Sequence, residues 1–272
     1  MSTQRLILDT NVCDKLRDPS FAHIRKRINR DFRIVVSPNT FAELLHSIKG
    51  AQTEDHFEIR KERIRIMTGN RRPCFLDFPG QFALRCALKM EEAPVKAPLV
   101  ALGPKDFSLW HRVVMNAKSR AALLNADVVL PLRRRERFGF DVDLVDTYQT
   151  AGKRFHRIAM ERIRDGKSRL GSSLEWAAMI AHDMGQDLST EEALKFASAL
   201  DAAYKYEQQL CEAVRNVKHK YNFANHDGDW IDMQQLFYLA DAKIWFLTED
   251  QNIFQRCQES SQSKRILLFS EM

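Results

Sequence analysis

Four carboxylic acids, Asp9, Glu43, Asp232 and Asp250, occupy positions where a chain of alternating strands and helices places reactive groups. Asp9 ends the apolar run Leu6-Ile7-Leu8, Glu43 lies on the helix expected after the second strand, Asp232 opens the helix before the third, and Asp250 follows that third strand. Each alone has an ordinary structural use, since a helix-starting Asp such as Asp232 commonly caps the helix. Taken together they point to chemistry. If they converge, two carboxylates about 4 Å apart repel by roughly 4 kcal/mol at an effective dielectric of about 20, so the cluster is costly unless protonated or bound to a cation. All-oxygen ligands without Cys or His favour Mg2+ or Mn2+, which bind through a few carboxylates, water and substrate phosphate. Such a site suits hydrolysis of phosphodiesters.

The elements that must position these acids are legible at both ends of the chain. Leu6 to Leu8 reads as a buried parallel strand whose carboxyl end opens on a loop. "FRIVVSPNT" repeats the pattern, with a strand over Ile34 to Val36, Ser37 and Pro38 as helix-start signals, and "FAELLHSI" as the helix. Near the C-terminus a helix from about Asp232 to Ala240 precedes a strand at Ile244 to Leu247, a turn with Thr248, Glu249 and Asp250, and a final β-rich run, "KRILLFS". Alternation of this kind predicts an α/β fold with a parallel sheet. In open sheets of this type the functional crevice lies beyond the carboxyl ends of the strands.

From about Thr53 to Asn225 β-branched runs are scarce and the sequence reads as helical. Helices are expected over "TEDHFEIRKERIRIM", "FSLWHRVVMNAKSRAALLNA" and "LVDTYQTAGKRFHRIAMERIRDG". Another begins at Ser189, which stands at capping-box spacing from Glu192 and is followed by Ala193, Ala197, Leu200, Tyr204, Cys211 and Val214 at helical spacing. The expected organisation is an α/β core from residues 1–52 and 226–272 with a mainly helical insertion or subdomain, 53–225, between them.

"LILDTNV", "FAELL" and "DMQQLFYLADAKIWFLTEDQNIF", taken in order, resemble the signature of PIN-domain nucleases. The resemblance covers about residues 4 to 50 and 226 to 270. It implies a Rossmann-like central parallel sheet flanked by helices and a metal-dependent endoribonuclease whose Mg2+ or Mn2+ is held by Asp9, Glu43, Asp232 and Asp250. Asn11 and the hydroxyls of Thr10 and Thr248 would orient ligands and water, and water would attack phosphorus in line to leave 5'-phosphate and 3'-hydroxyl ends. In "HDGDWID", Asp227 and Asp229 are alternatives or additions to Asp232. The chain departs from the family in size, because a typical member lacks so long a middle region. Bacterial toxins paired with antitoxins use this fold, so the resemblance admits a toxin, an RNA-processing or a defence nuclease, with an antitoxin as a protein partner. Two other readings are a structure-specific DNA nuclease of the same fold and a catalytically inactive nucleic-acid or protein-binding scaffold.

The formal net charge of +6 favours a polyanionic partner, and the resemblance implies RNA before DNA. Candidate nucleic-acid contacts are the basic clusters containing Arg71 and Arg72, Arg133, Arg134 and Arg135, and Arg154, Arg157 and Arg164. Solvated helix faces are the plainer account of any one of them. Five scattered cysteines without a C-x-x-C pair read as small buried hydrophobes in a reducing compartment. No apolar run approaches membrane-span length, and the N-terminal residues carry no signal-like apolar stretch, so a cytoplasmic protein is expected, with its oligomeric state open. His182-Asp183 lacks the companions of an HD phosphohydrolase, and Asp141, Asp143 and Asp146 lack the glycine and glutamate of a calcium loop. After Asp9, Asn11 stands where a haloacid-dehalogenase-like phosphatase needs a second Asp. Neither a phosphate-binding glycine loop nor a Ser-His-Asp context is present.

Overall fold

A computed structural model describes residues 4–69, 73–91, 104–124, 132–216, 221 and 228–272. Over residues 132–146 the description is confined to the backbone. In chain order the elements run β1 (Arg5–Leu8), α1 (Thr10–Arg17), α2 (Ala22–Asp31), β2 (Arg33–Ile34), α3 (Pro38–Lys49), α4 (Glu54–Thr68), α5 (Pro79–Leu88), α6 (Pro104–Asn116) and α7 (Arg120–Leu124). They continue with α8 (Leu132–Arg164), α9 (Ser173–Asp183), α10 (Thr190–Ala199), α11 (Asp201–Arg215), α12 (Asp229–Leu236), β3 (Ile244–Thr248), α13 (Gln251–Arg256) and β4 (Ile266–Leu268). The protein is α/β and mostly helical, with a four-stranded, all-parallel sheet of order β2-β1-β3-β4. Among the described residues no helix is long and apolar enough to cross a membrane.

Two compact units share the chain. The first comprises Met1–Asp77, Pro98–Tyr148 and Met272, and the second Phe78–Ala97 and Gln149–Glu271. The N-terminal and C-terminal strand pairs therefore belong to different units.

In the first unit β1 and β2 pair in parallel, Arg5 opposite Arg33 and Leu6 opposite Ile34. The regular strand β2 ends two residues before the expected Val36, which instead forms an isolated parallel bridge with Phe75. Leu6, Ile7 and Leu8 are at most 1% exposed, as a continuously apolar parallel strand requires. Helix α4 carries the packing on this side: α1, α3 and α6 all contact it, and Arg63 binds Asp14 of α1 through a forked pair whose Nη2–Oδ2 separation is 2.6 Å. Phe41, Phe75 and Phe107 form an aromatic cluster, with Trp110 edge-on to Phe107.

In the second unit β3 and β4 pair in parallel, with Phe246 opposite Ile266 and Thr248 opposite Leu268. The guanidinium of Arg265 donates to the carbonyls of Leu239, Asp241 and Ile244 at 2.6, 2.8 and 2.9 Å, fixing the entry to β3. Capping boxes start α9 (Ser172 with Glu175) and α10 (Ser189 with Glu192), as the spacing of the second predicts. Pro38, Pro79 and Pro104 each open a helix, where the missing N–H costs nothing.

Two helices expected as continuous are broken. The segment after Ser189 divides at Leu200 into α10 and α11, because Asp201 turns its carboxylate to Ser261 (2.7 and 2.8 Å) and Gln262 accepts from the Ala202 N–H at 2.9 Å while donating to the Ala199 carbonyl at 2.8 Å. The segment after Phe107 divides into α6 and α7 at residues 117–119, where Lys61 donates to the Ala117 carbonyl at 2.6 Å and the Ser119 hydroxyl accepts from the Ala122 N–H. The helix expected from Asp232 begins earlier, at Asp229, since the N–H groups of Ile231 and Asp232 both reach the Gly228 carbonyl.

Candidate functional site

Parallel pairing brings the carboxyl ends of β1 and β2 to the same side of the first unit. Asp9 follows β1 directly and stands at the N-cap of α1, but its carboxylate does not cap the helix. It accepts a bond from the Thr10 hydroxyl at 3.3 Å and is 8% exposed. The adjacent Cys13 thiol is pushed far up by burial, then by the charges of Asp9 and Asp14, so it is a protonated packing group. Beyond β2, Ser37 precedes α3 and is 1% exposed, and its hydroxyl has no hydrogen-bond partner among the described residues. A buried hydroxyl without a partner costs about 1–3 kcal/mol. Glu43 is half-buried in the middle of α3, and Asn11 is exposed on α1.

In the second unit Thr248 ends β3 fully buried, and its hydroxyl accepts the Asp250 N–H at 2.9 Å. Asp250 caps α13, accepting the Asn252 N–H at 2.6 Å. Asp232 is half-buried, the fourth residue of α12.

Asp229 has a different setting. It is 6% exposed, accepts the Tyr206 hydroxyl at 3.0 Å and the Tyr221 hydroxyl, and lies 3.6 Å from Arg256 Nη1. The Arg256 guanidinium also covers the Tyr206 ring at 4.9 Å. Burial first, and then the charges of Asp232 and Asp229, raise the Tyr206 hydroxyl well above its ordinary range; burial and the bond to Asp229 do the same for Tyr221. Both phenols therefore stay protonated donors, and Asp229 is a buried anchor held by two hydroxyls and a cation. Nearby, His156 Nε2 sits 3.0 and 3.1 Å from the two carboxylate oxygens of Glu207, with the carboxylate buried and the imidazole largely covered. Burial alone would depress the imidazole, but the charge and hydrogen bond of Glu207, with the charge of Asp229, outweigh it and hold His156 above its ordinary value.

The acids expected to act together thus divide between the units: Asp9 and Glu43 in the first, Asp232 and Asp250 in the second. Their donor chemistry, carboxylate and hydroxyl oxygen alone, suits Mg2+ or Mn2+ in kind. Among the described residues, however, no group of three or more His, Cys, Asp or Glu side chains is gathered so as to hold a metal. Arg71, Arg72 and Asp227 lie outside the described residues, as do the side chains of Arg133, Arg134 and Arg135, whose backbone is helical in α8. Arg154, Arg157 and Arg164 are exposed on the last turns of α8. His182 of α9 is exposed, and its Nδ1 lies 3.0 Å from the Asp187 carboxylate.

The Tyr206, Glu207, Tyr221, Arg256 and His156 group was not legible as a motif, because its contacts span irregular separations of 8 to 51 residues. Its one local signal is a Tyr-Glu pair set into the apolar stripe of α11. Compared with models of known protein families, with curated proteins and with solved structures, the chain matches none.

Proposed function

We propose that the protein is a phosphodiesterase acting on RNA, a metal-dependent endoribonuclease of PIN-like organisation, with Asp9, Glu43, Asp232 and Asp250 as the acids on which its activity depends. The observation that supports this most is the placing of polar groups at the carboxyl ends of parallel strands, Asp9 after β1 and Thr248 with Asp250 at the end of β3, where open α/β sheets bind ligands. The partnerless hydroxyl of Ser37, beyond β2, adds a buried polar group with bonding capacity to spare. The ordered motifs and the positive net charge agree with a phosphate-bearing substrate. Within each unit the chain orients its own acids: the Thr10 hydroxyl donates to Asp9, and the Thr248 hydroxyl tethers the Asp250 N–H.

Cleavage of matched RNA and DNA, single- and double-stranded, with manganese or with a chelator, tests the proposal. RNA cleavage that needs manganese and falls to background in Asp9→Asn and Asp250→Asn is expected. Asn at position 250 keeps a helix-capping side chain, so loss of activity there reports on the carboxylate. Undiminished cleavage by either variant removes that residue from the reaction, and cleavage of DNA alone replaces the substrate class. Manganese should also raise the melting temperature of the wild type but not of the Asp9→Asn, Asp232→Asn double variant. A second reading, a nucleic-acid-binding protein without cleavage, is favoured by the concentration of positive charge at the end of α8.

A further inference from the structure

Positive charge is dense around the C-terminal end of α8. Residues 153–169 carry seven Lys and Arg against two acids, a local excess of five in a chain whose net charge is +6. Both acids are already engaged: Glu161 accepts from Arg157 at 3.2 Å, and Asp165 accepts from Arg164 at 3.0 Å and Lys167 at 3.2 Å. Arg154 and Arg162 have no acidic partner among the described residues, and both are exposed.

Set among these guanidinium groups are two apolar side chains that burial has not claimed. Phe155 is 72% exposed and Ile158 is 43% exposed, while Met160 and Ile163 of the same helix are buried at 2% and 4%. Residues 154, 158 and 162 follow each other at i, i+4 and residue 155 lies beside them, so Arg154, Phe155, Ile158 and Arg162 form one continuous outward stripe. An aromatic face between unpaired cations answers to a ligand with alternating phosphates and exposed bases. A duplex hides its bases, and an acidic peptide gives a phenyl ring nothing to stack on.

We propose that this stripe of α8 is a docking surface for single-stranded nucleic acid, with Phe155 stacking on a base, Ile158 extending the apolar contact, and Arg154 and Arg162 contacting flanking phosphates. The inference rests on the reading of the protein as one that acts on nucleic acid, and it assigns where the strand is held.

The test is fluorescence anisotropy of the full chain with fluorescein-labelled single-stranded RNA, in chelator so that cleavage cannot interfere. Arg154→Glu/Arg162→Glu should weaken binding by roughly tenfold or more and reduce the slope of log affinity against log salt by about 1.4, the value for two phosphates on a single strand. Phe155→Ala should weaken it about fivefold or more, with Phe155→Tyr restoring it, and Phe155→Ala should leave duplex binding unchanged. Lys195→Glu/Lys264→Glu, with the same change of charge elsewhere on the second unit, should have the smaller effect. The proposal is overturned if the wild type does not bind, if both double variants weaken binding equally, or if the stripe variants lose polyglutamate or phosphatidylserine vesicles instead of RNA. RNA binding with no manganese-dependent cleavage would end the nuclease reading and leave the docking surface standing. Cleavage that survives the stripe variants with KM unchanged would do the reverse.

Discussion

Phe155 and His156 are neighbours in sequence and opposites in environment. The phenyl ring is 72% exposed, while the imidazole side chain is only 11% exposed against Glu207. One residue along an α-helix is about 100° of rotation, enough to carry the chain from the packed side of α8 to solvent. On the inner side a polar group is tolerated because a carboxylate matches it; on the outer side an apolar group stays in water beside Arg154 and Arg162, which have no acidic partner among the described residues. At this turn of α8 it is the matched charge, not the apolar ring, that is drawn inward, and the two sides of the helix divide the work of holding the unit together from that of presenting a surface.

The contrast can be broken at its inner side first. Asp229→Ala removes the acceptor of the buried Tyr206 phenol and the half-buried Tyr221 phenol and the counter-charge of Arg256, and should cost about 3–5 kcal/mol, read from urea unfolding followed by tryptophan fluorescence. A loss below about 1 kcal/mol would show that charge pairing does not hold the unit. Glu207→Gln should cost about 2 kcal/mol and carries a signature in pH. Because His156 is held above its ordinary value in the folded state, its protonation stabilises the fold fully below about pH 6.5, the unfolded value, and that contribution fades as pH rises through the raised folded value. The gap between wild type and Glu207→Gln should therefore be wider at low pH than at high pH, and a gap independent of pH would mean that the pair is not ionic. The smallest effects belong outside: Phe155→Ala and Arg157→Ala should each leave stability within about 0.5 kcal/mol by thermal melting. A larger loss from Phe155→Ala would show that the ring packs after all.

The parts of the fold legible in the sequence were those written locally. Continuous apolar runs marked β1 and β3, and the Ser189-to-Glu192 spacing marked the start of α10. The stripe expected beyond it failed at one point for a definite reason. Tyr204, the expected core residue, is half-buried and its hydroxyl donates to the Gly171 carbonyl at 2.9 Å, while Cys211 and Val214 farther along are buried as the spacing predicts. Helix α9 carried the same capping-box spacing, Ser172 to Glu175, and could have been found by it. For the candidate site, the acids at strand ends were visible one by one. The fate of Asp229 was not, because Tyr206, Tyr221 and Arg256 reach it from other parts of the chain.

Gln262 closes the joint between α10 and α11 by bonding Ala199, Ala202 and the Leu239 carbonyl at 3.2 Å. This gives the joint a place in time as well as in space. The joint at Ala202 is synthesised 60 residues before the side chain that fixes its angle, so the pair must wait, formed but unset, until nearly all of the second unit has been made.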